Sequence, residues 1–233
     1  MSARVTYRNG NTSKCFLPTS RQKRLARQLF LTISAAGAVF SLLPVSTASA
    51  TTITPAVTTT TVQQNGAAYN VYTTKVIDKT AINVFKQFDL NQEHIANLYF
   101  GSQASHSQEN LVNFVNAKIN VNGIVNGIKD NRIGGNLLFV SKEGMAVGKT
   151  GIINAGSLTV LTPTENLYND VTGTGKAVND KNFKANWTNL QKGEIPINAS
   201  GSISIAGHVN TVNGMLMKAV SVDIQDGDRL VSY

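Results

Sequence analysis

The chain has 233 residues, 42% hydrophobic and only 15% charged, with a formal net charge of +8. Arg4, Arg8, Lys14, Arg21, Lys23, Arg24 and Arg27 all precede residue 50, where no acidic residue occurs; removing these seven from the 21 basic residues leaves 14 against 13 acidic. That near-neutral remainder excludes an electrostatic case for nucleic-acid binding, and the single cysteine, Cys15, also lies in the leader, which excludes a disulfide framework beyond it.

Residues 21–50 read RQKRLARQLFLTISAAGAVFSLLPVSTASA. Four basic residues precede an apolar run from Leu29 to Leu43, and Ala48-Ser49-Ala50 supplies small residues at a cleavage position. This is the order of a secretory signal peptide, and the run is shorter than the roughly 20 residues of a membrane-spanning helix. We expect residues 1–50 to be removed and the mature chain to begin at Thr51. Its roughly 180 residues suffice for one domain with its own core.

Residues 51–66 begin Thr-rich with Pro55 and predict a flexible or edge-paired arm. Tyr69–Val76 alternates and predicts a strand, as do the apolar positions of Ala81–Leu90, including Phe85 and Phe88. Glu93–Phe100 fits a short strand or a helical turn. From Leu111 a common pattern sets in: short β-branched and apolar strings, broken by Asn122-Gly123, Asn126-Gly127, Gly134-Gly135 and Asn213-Gly214. Ile-Asn-Ala occurs at Ile153–Ala155 and Ile197–Ala199, each time before an alternating segment. Residues 165–193 interrupt the pattern as a polar excursion with the only tryptophan, Trp187.

Two architectures fit. Asn-Gly between apolar runs marks antiparallel hairpins, as in a sandwich. Very short strings and a loose repeat of about 20 residues suit a parallel β-helix, in which apolar residues stack in inward rows and Asn ladders inside a corner.

Chemistry is sparsely marked. His94, His106 and His208 are scattered without metal-ligand spacing, and no G-x-S-x-G elbow is present. Gly173-Thr174-Gly175-Lys176 lacks the remainder of a phosphate loop. Asp223, Asp226 and Asp228 resemble a fragment of a calcium loop but lack its distal Glu. Lys129, Asp130 and Arg132 are the nearest approach to a lyase-like cluster.

Ile133–Leu158 (IGGNLLFVSKEGMAVGKTGIINAGSL) resembles the core of the two-partner secretion domain, the haemagglutination-activity domain of filamentous haemagglutinin-type adhesins. The family carries N-P-N-G-[IM]-x-x-G-x-x-[AG]-x-[IV]-[ND]-x-[GA]-x-L. Gly144, Met145, Gly148, Gly151, Ile153, Asn154, Gly156 and Leu158 match it, while Ser141-Lys142-Glu143 replaces Asn-Pro-Asn. Upstream, Phe85 and Phe88 resemble the family's F-x-x-F segment, followed by Asn97-Leu98. The similarity is nearest in character to the leukotoxin-like filamentous adhesins of anaerobic Gram-negative bacteria and covers roughly residues 67–162.

The resemblance implies an all-β right-handed parallel β-helix over residues 67–233 with an N-terminal β cap. It implies a non-enzymatic export domain without cofactor. Its partners would be the Sec machinery and the POTRA domains of an outer-membrane transporter, with host-cell contact through downstream repeats. The protein would pass through the periplasm and be secreted or displayed on the cell surface. Recognition by the transporter would fall on Phe85, Phe88, Asn97, Leu98, Gly144 and Met145, and tight turns on Gly148, Gly151, Asn154 and Gly156. The alternative is a secreted β-helix protein that binds or cleaves polysaccharide.

Overall fold

The computed structural model describes residues 50–225 and 229–232; the expected leader before Ala50, and Asp226 and Asp228 of the calcium-loop-like fragment, lie outside them. The described chain is mostly β, with parallel strands and two short helices. Among the described residues no helix is long and apolar enough to cross a membrane.

The first strands are antiparallel. β1 (Thr52–Pro55) pairs with the C-terminal half of β5 (Thr80–Leu90), Thr52 opposite Asp89. β2 (Thr60–Asn65) and β3 (Ala68–Thr73) form a hairpin, and β4 (Val76–Ile77) folds onto the start of β5. Parallel pairing follows. β3 carries β6 (Ile95–Tyr99), so Glu93–Phe100 resolves to a strand. Three segments, β7 (Asn110–Val115), β8 (Ile119–Val121) and β9 (Ile124–Lys129), are overlaid in register by β11 (Asn136–Ser141), β12 (Gly144–Val147) and β13 (Ile152–Ala155). Next come β14 (Ser157–Leu161), β15 (Ser202–Ile205) and β16 (His208–Thr211), then β17 (Met215–Lys218), β18 (Ser221–Ile224) and β19 (Arg229–Ser232). Each layer reuses the strand order of the one beneath.

The interior follows from alternation, because successive residues of a strand point to opposite faces. Leu111, Leu137 and Leu158 stack in one row; Ile119, Met145 and Ile203 form another; Val125, Ile153 and Val209 a third. All nine are at most 1% exposed, so the rows form one continuous apolar core. β5 is the keystone. Its first half pairs with β7 and its last residues with β8, so one strand spans two sides of the stack and joins them into an 11-stranded sheet.

Asn126-Gly127 is not a turn. Both residues lie within β9, between β6 and β13. The hairpin comes three residues later, where β10 (Arg132–Ile133) folds back on β9 through Asp130 and Asn131, both at positive φ (51° and 60°). Short Asp and Asn side chains tolerate this conformation, which the two-residue hairpin requires at both central positions.

The polar excursion folds into α1 (Glu165–Thr172) and α2 (Asp180–Lys192), which the sequence reading did not predict. α2 has ordinary helix punctuation. The Asn179 side chain accepts from the Asn182 N–H at 3.1 Å, Asp180 occupies the first turn and Lys192 the last, and Gly193 follows in the left-handed conformation. Phe183, Trp187 and Leu190 recur at helical spacing and, with Tyr168 and Val171 of α1, cover the outward residues Ile82, Val84, Val112, Phe114, Leu138 and Val140. β5, β7 and β11 are thus buried on both faces, a second apolar core lying outside the first. Burial pushes the Tyr168 phenol well above its usual range, and its O–H donates to Asn116 Oδ1 at 2.8 Å.

Candidate functional site

The sequence-predicted recognition residues divide between the two sheets, with Phe85 and Phe88 on β5 and Gly144 and Met145 on β12 of the 11-stranded sheet and Asn97 and Leu98 on β6 of the other, and all but the half-buried Asn97 are buried. Phe85 and Phe88 are fully buried, edge to face at 5.4 Å, and Phe88 meets Phe139 at 5.6 Å. Leu98 points inward from β6 and is also fully buried. Met145 stacks over Ile119 on β8, the strand between β12 and the end of β5. The two family-like blocks, around Phe88 and around Gly144-Met145, are thereby separated by a single strand.

The turn at Ser141–Gly144 is held by its own side chains. Ser141 Oγ accepts from the N–H groups of Glu143 and Gly144, each at 3.2 Å, and donates to the carbonyl of Ala117 at 2.8 Å. The Glu143 carboxylate accepts from the Lys118 N–H at 3.2 Å. A serine hydroxyl can mimic a backbone turn in this way. Gly144 itself sits at φ 98°, and an added Cβ would overlap the Ser202 carbonyl oxygen.

Gly148, Gly151 and Gly156 serve another purpose than positive φ. None lies in the left-handed region. They are sites of close approach: a Cβ would overlap Asn122 Oδ1 at Gly148 and the Val121 carbonyl at Gly151, and at Gly156 would come within 2.7 Å of the Gly135 carbonyl. At Gly151 and Gly156 neighbouring backbone passes too closely for a side chain, and at Gly148 the Asn122 side chain fills that space.

Asn97 and Asn154 belong to the most regular polar feature of the molecule. Asn70, Asn97, Asn126, Asn154 and Asn210 occupy matching positions on five consecutive parallel strands, β3, β6, β9, β13 and β16. Each Nδ2 donates to the Oδ1 of the preceding rung, at 3.0 Å for Asn97→Asn70 and Asn126→Asn97 and 2.9 Å for Asn154→Asn126 and Asn210→Asn154. The ladder runs along the outer face of its sheet rather than inside a corner. Its neighbours in each strand (Val71, Leu98, Val125, Ile153, Val209) are the inward core residues. An interior pair exists as well: Asn83 Nδ2 donates to Asn113 Oδ1 at 3.0 Å, and Asn113 Nδ2 to the Leu138 carbonyl at 3.2 Å.

The same tripeptide has two fates. In Ile153–Ala155 the asparagine is a rung. In Ile197–Ala199 it closes a turn before β15, with Asn198 Oδ1 accepting from the Ser200 N–H and Oγ, both at 3.0 Å.

Asn126→Ala should lower stability by about 1–2 kcal/mol, because it removes two ladder bonds but leaves their former partners half-exposed to water. A shift of the denaturant midpoint at constant slope measures this; an unchanged midpoint would show that the ladder contributes nothing.

One column farther along the same face, Tyr72 and Tyr99 stack at 4.4 Å with an interplanar angle of 21°. The His106 ring meets the edge of Tyr99 at 5.1 Å, and its Nε2 lies 2.9 Å from Asn131 Oδ1. Burial, with the Tyr99 hydroxyl as hydrogen-bond partner, raises the Tyr72 phenol above its usual value. Sequence reasoning missed this face, although the signal was available: Tyr-Asn-Val, Ala-Asn-Leu, Val-Asn-Gly, Ile-Asn-Ala and Val-Asn-Thr each place asparagine between strand residues.

The remaining candidates do not assemble a reaction centre. Among the described residues no three His, Cys, Asp or Glu side chains group for a metal. His94 Nδ1 lies 2.9 Å from Thr51 Oγ1. Lys129 and Asp130 pair at 3.6 Å at an exposed hairpin tip, and Asp223 is exposed. Gly173, at φ 55°, is the left-handed cap of α1, so Gly173–Lys176 is a helix end. The chain matches no protein-family model and no curated protein.

Proposed function

We propose that the chain is the secretion domain of a filamentous haemagglutinin-type adhesin, a right-handed parallel β-helix capped at its first layer and preceded by a cleaved leader. The observation that carries this reading is the stack of in-register strand triplets beneath an antiparallel cap, with the two family-like blocks placed on nearly adjacent strands. The Sec machinery delivers the chain to the periplasm. There the POTRA domains of an outer-membrane barrel hold it, and it folds outside. A disulfide-free chain stays unlocked until then.

The burial of Phe85, Phe88, Leu98 and Met145 fits recognition before folding. An extended chain can add a strand to a POTRA sheet edge, with backbone hydrogen bonds for affinity and alternate apolar side chains for register. Once released, β5 would serve as the template, since β1, β4, β7 and β8 all pair with it. The domain then acts by folding and carries no catalysis.

Co-expression with a two-partner outer-membrane transporter should place the protein in the medium, and immobilised POTRA domains should retain the unfolded chain. Export without the transporter, or release of unsaturated oligosaccharides from an acidic polysaccharide, would overturn the reading. Edman sequencing of the exported protein should begin at Thr51; a species that retains Leu29–Leu43 would make the leader an anchor instead.

A further inference from the structure

We propose that the half-buried carboxylate of Asp89, with the asparagines around it, is the seat of the mature chain's own α-ammonium, the cation that removal of residues 1–50 creates on Thr51. The inference rests on the expected cleavage after Ala50 and goes beyond it, because it gives the new terminus a place in the fold.

The start of the described chain is tied down residue by residue. β1 lies antiparallel on the C-terminal half of β5, with Thr52 opposite Asp89. One residue earlier, Thr51 Oγ1 accepts from the Asn91 N–H at 2.9 Å and lies 2.9 Å from His94 Nδ1. The His94 ring meets Tyr69 edge to face, with centroids 5.5 Å apart. Ala50 then lines an open pocket of about 200 Å³ together with Asp89, Leu90, Asn91, Asn120 and Asn122. The nitrogen that cleavage turns into an α-ammonium is bonded directly to Ala50, so it stands at this pocket with the Thr51 hydroxyl already anchored.

The chemistry of the pocket selects a small cation. Asp89 is half-buried and forms no ion pair among the described residues. Its carboxylate accepts from Asn120 Nδ2 at 2.5 Å and from Gln87 Nε2, both neutral donors, so its charge has no counter-charge. A carboxylate partly withdrawn from water interacts more strongly with a nearby cation than an exposed one does. A primary ammonium brings three N–H donors and no acceptor. Asp89 and the side-chain carbonyls of Asn91, Asn120 and Asn122 supply acceptor oxygens, and the Asn120 amide spends its donor on Asp89 while keeping its own oxygen. An anion would meet the Asp89 charge, and an apolar group would leave that charge unpaired. The neighbouring charged side chains do not compete, since Lys86 and Glu93 are exposed and make no ion pair among the described residues, and His94 is engaged by Thr51.

In the uncut chain the same nitrogen is a neutral amide, and Asp89 keeps no counter-ion. Cleavage therefore adds a tie between β1 and β5, the strand with which β4, β7 and β8 also pair. The cap is fastened only once the leader has gone.

The chain from Thr51 holds every described element. Its thermal melting near neutral pH is compared with that of the same chain acetylated at the Thr51 α-amine, which restores the neutral amide of the uncut chain at that atom. Acetylation should lower the melting temperature by about 2–4 °C, the shift expected of a partly exposed ion pair in a chain of this size. In Asp89→Asn the free and acetylated forms should melt within about 1 °C of each other, because the interaction has no second partner. In Asp223→Asn, at an exposed position on β18, acetylation should cost as much as in the parent. NMR titration of the isotopically labelled α-amine should place its pKa above that of an ordinary terminal amine in the folded parent, since a neighbouring carboxylate favours the charged form, and nearer the ordinary value in Asp89→Asn. Equal melting of the free and acetylated parent, an undiminished acetylation loss in Asp89→Asn, or an ordinary α-amine pKa in the parent would each overturn the seat. The parent comparison and its titration decide the matter even if Asp89→Asn does not fold. N-terminal sequencing that starts elsewhere than Thr51 would instead defeat the leader reading, and the occupant with it.

Discussion

Replacing Phe88 by alanine is expected to lower stability by about 3–5 kcal/mol, the usual cost of emptying a buried aromatic site. Phe88 is fully buried and touches Phe85 and Phe139 edge to face, so the loss includes ring–ring contacts as well as area. The cavity would open between β5 and β11-borne side chains whose backbones are held in register, leaving little freedom to collapse. Denaturant unfolding reads the effect, and a loss below about 1 kcal/mol would contradict the packing described. The conservative pair Phe85→Leu and Phe88→Leu addresses export separately. These substitutions retain most of the apolar volume, so under the proposed function they should reduce retention by POTRA domains while the melting point falls only modestly. Normal secretion of both variants would remove these residues from the recognition signal and leave them a purely structural role.

Gly144→Val should be the most damaging single change at a glycine. At φ 98° the backbone conformation is costly for any residue with a Cβ, of the order of 1–3 kcal/mol, and more for a β-branched one. The added atom would also overlap the Ser202 carbonyl and press on the Ser202 backbone, which pairs with Gly144 at the start of β15. Because Ser202 is where the chain rejoins the stack after α1 and α2, the substitution disturbs the seam that fastens the helical insertion. A fall in melting temperature of more than about 10 °C, or recovery only in the insoluble fraction, is expected. Gly134→Ala is the matched control: its φ is not positive and a Cβ there meets nothing within 4 Å, so it should lie within about 0.5 kcal/mol of the parent. If Gly144→Val melts with the parent, the close pairing of β12 with β15 is wrong.

Local pattern alone determined that this chain is β-rich. Period-two alternation in Tyr69–Val76 and Ser157–Leu161 marks strands because side chains of a strand alternate between opposite faces, and the apolar spacing of Ala81–Leu90 marks another. The absence of cysteine after residue 15 determined that packing and hydrogen-bond ladders hold the described fold. Even α2 was legible in principle, since Asn179, Gly193 and the spacing of Phe183, Trp187 and Leu190 are ordinary helix signals that a reading of its polarity alone overlooks.

Which strand lies beside which was decided only in three dimensions. Asn110 and Asn136 are 26 residues apart, Asn126 and Asn154 28, Asn136 and Ser157 21, and Asn154 and Asn210 56, yet each pair is in contact. No fixed sequence period can announce contacts whose intervening loops vary so much, because a loop lengthens at small entropic cost while the register above it is held by core rows and amides. The same limit explains Asn126-Gly127. The dipeptide favours a turn in isolation, but strands on either side supply more hydrogen bonds than a turn could, and Asn126 gains both rungs of a ladder. The asparagine ladder is a property of five strands brought side by side, and it exists only once the chain has returned to the same place five times.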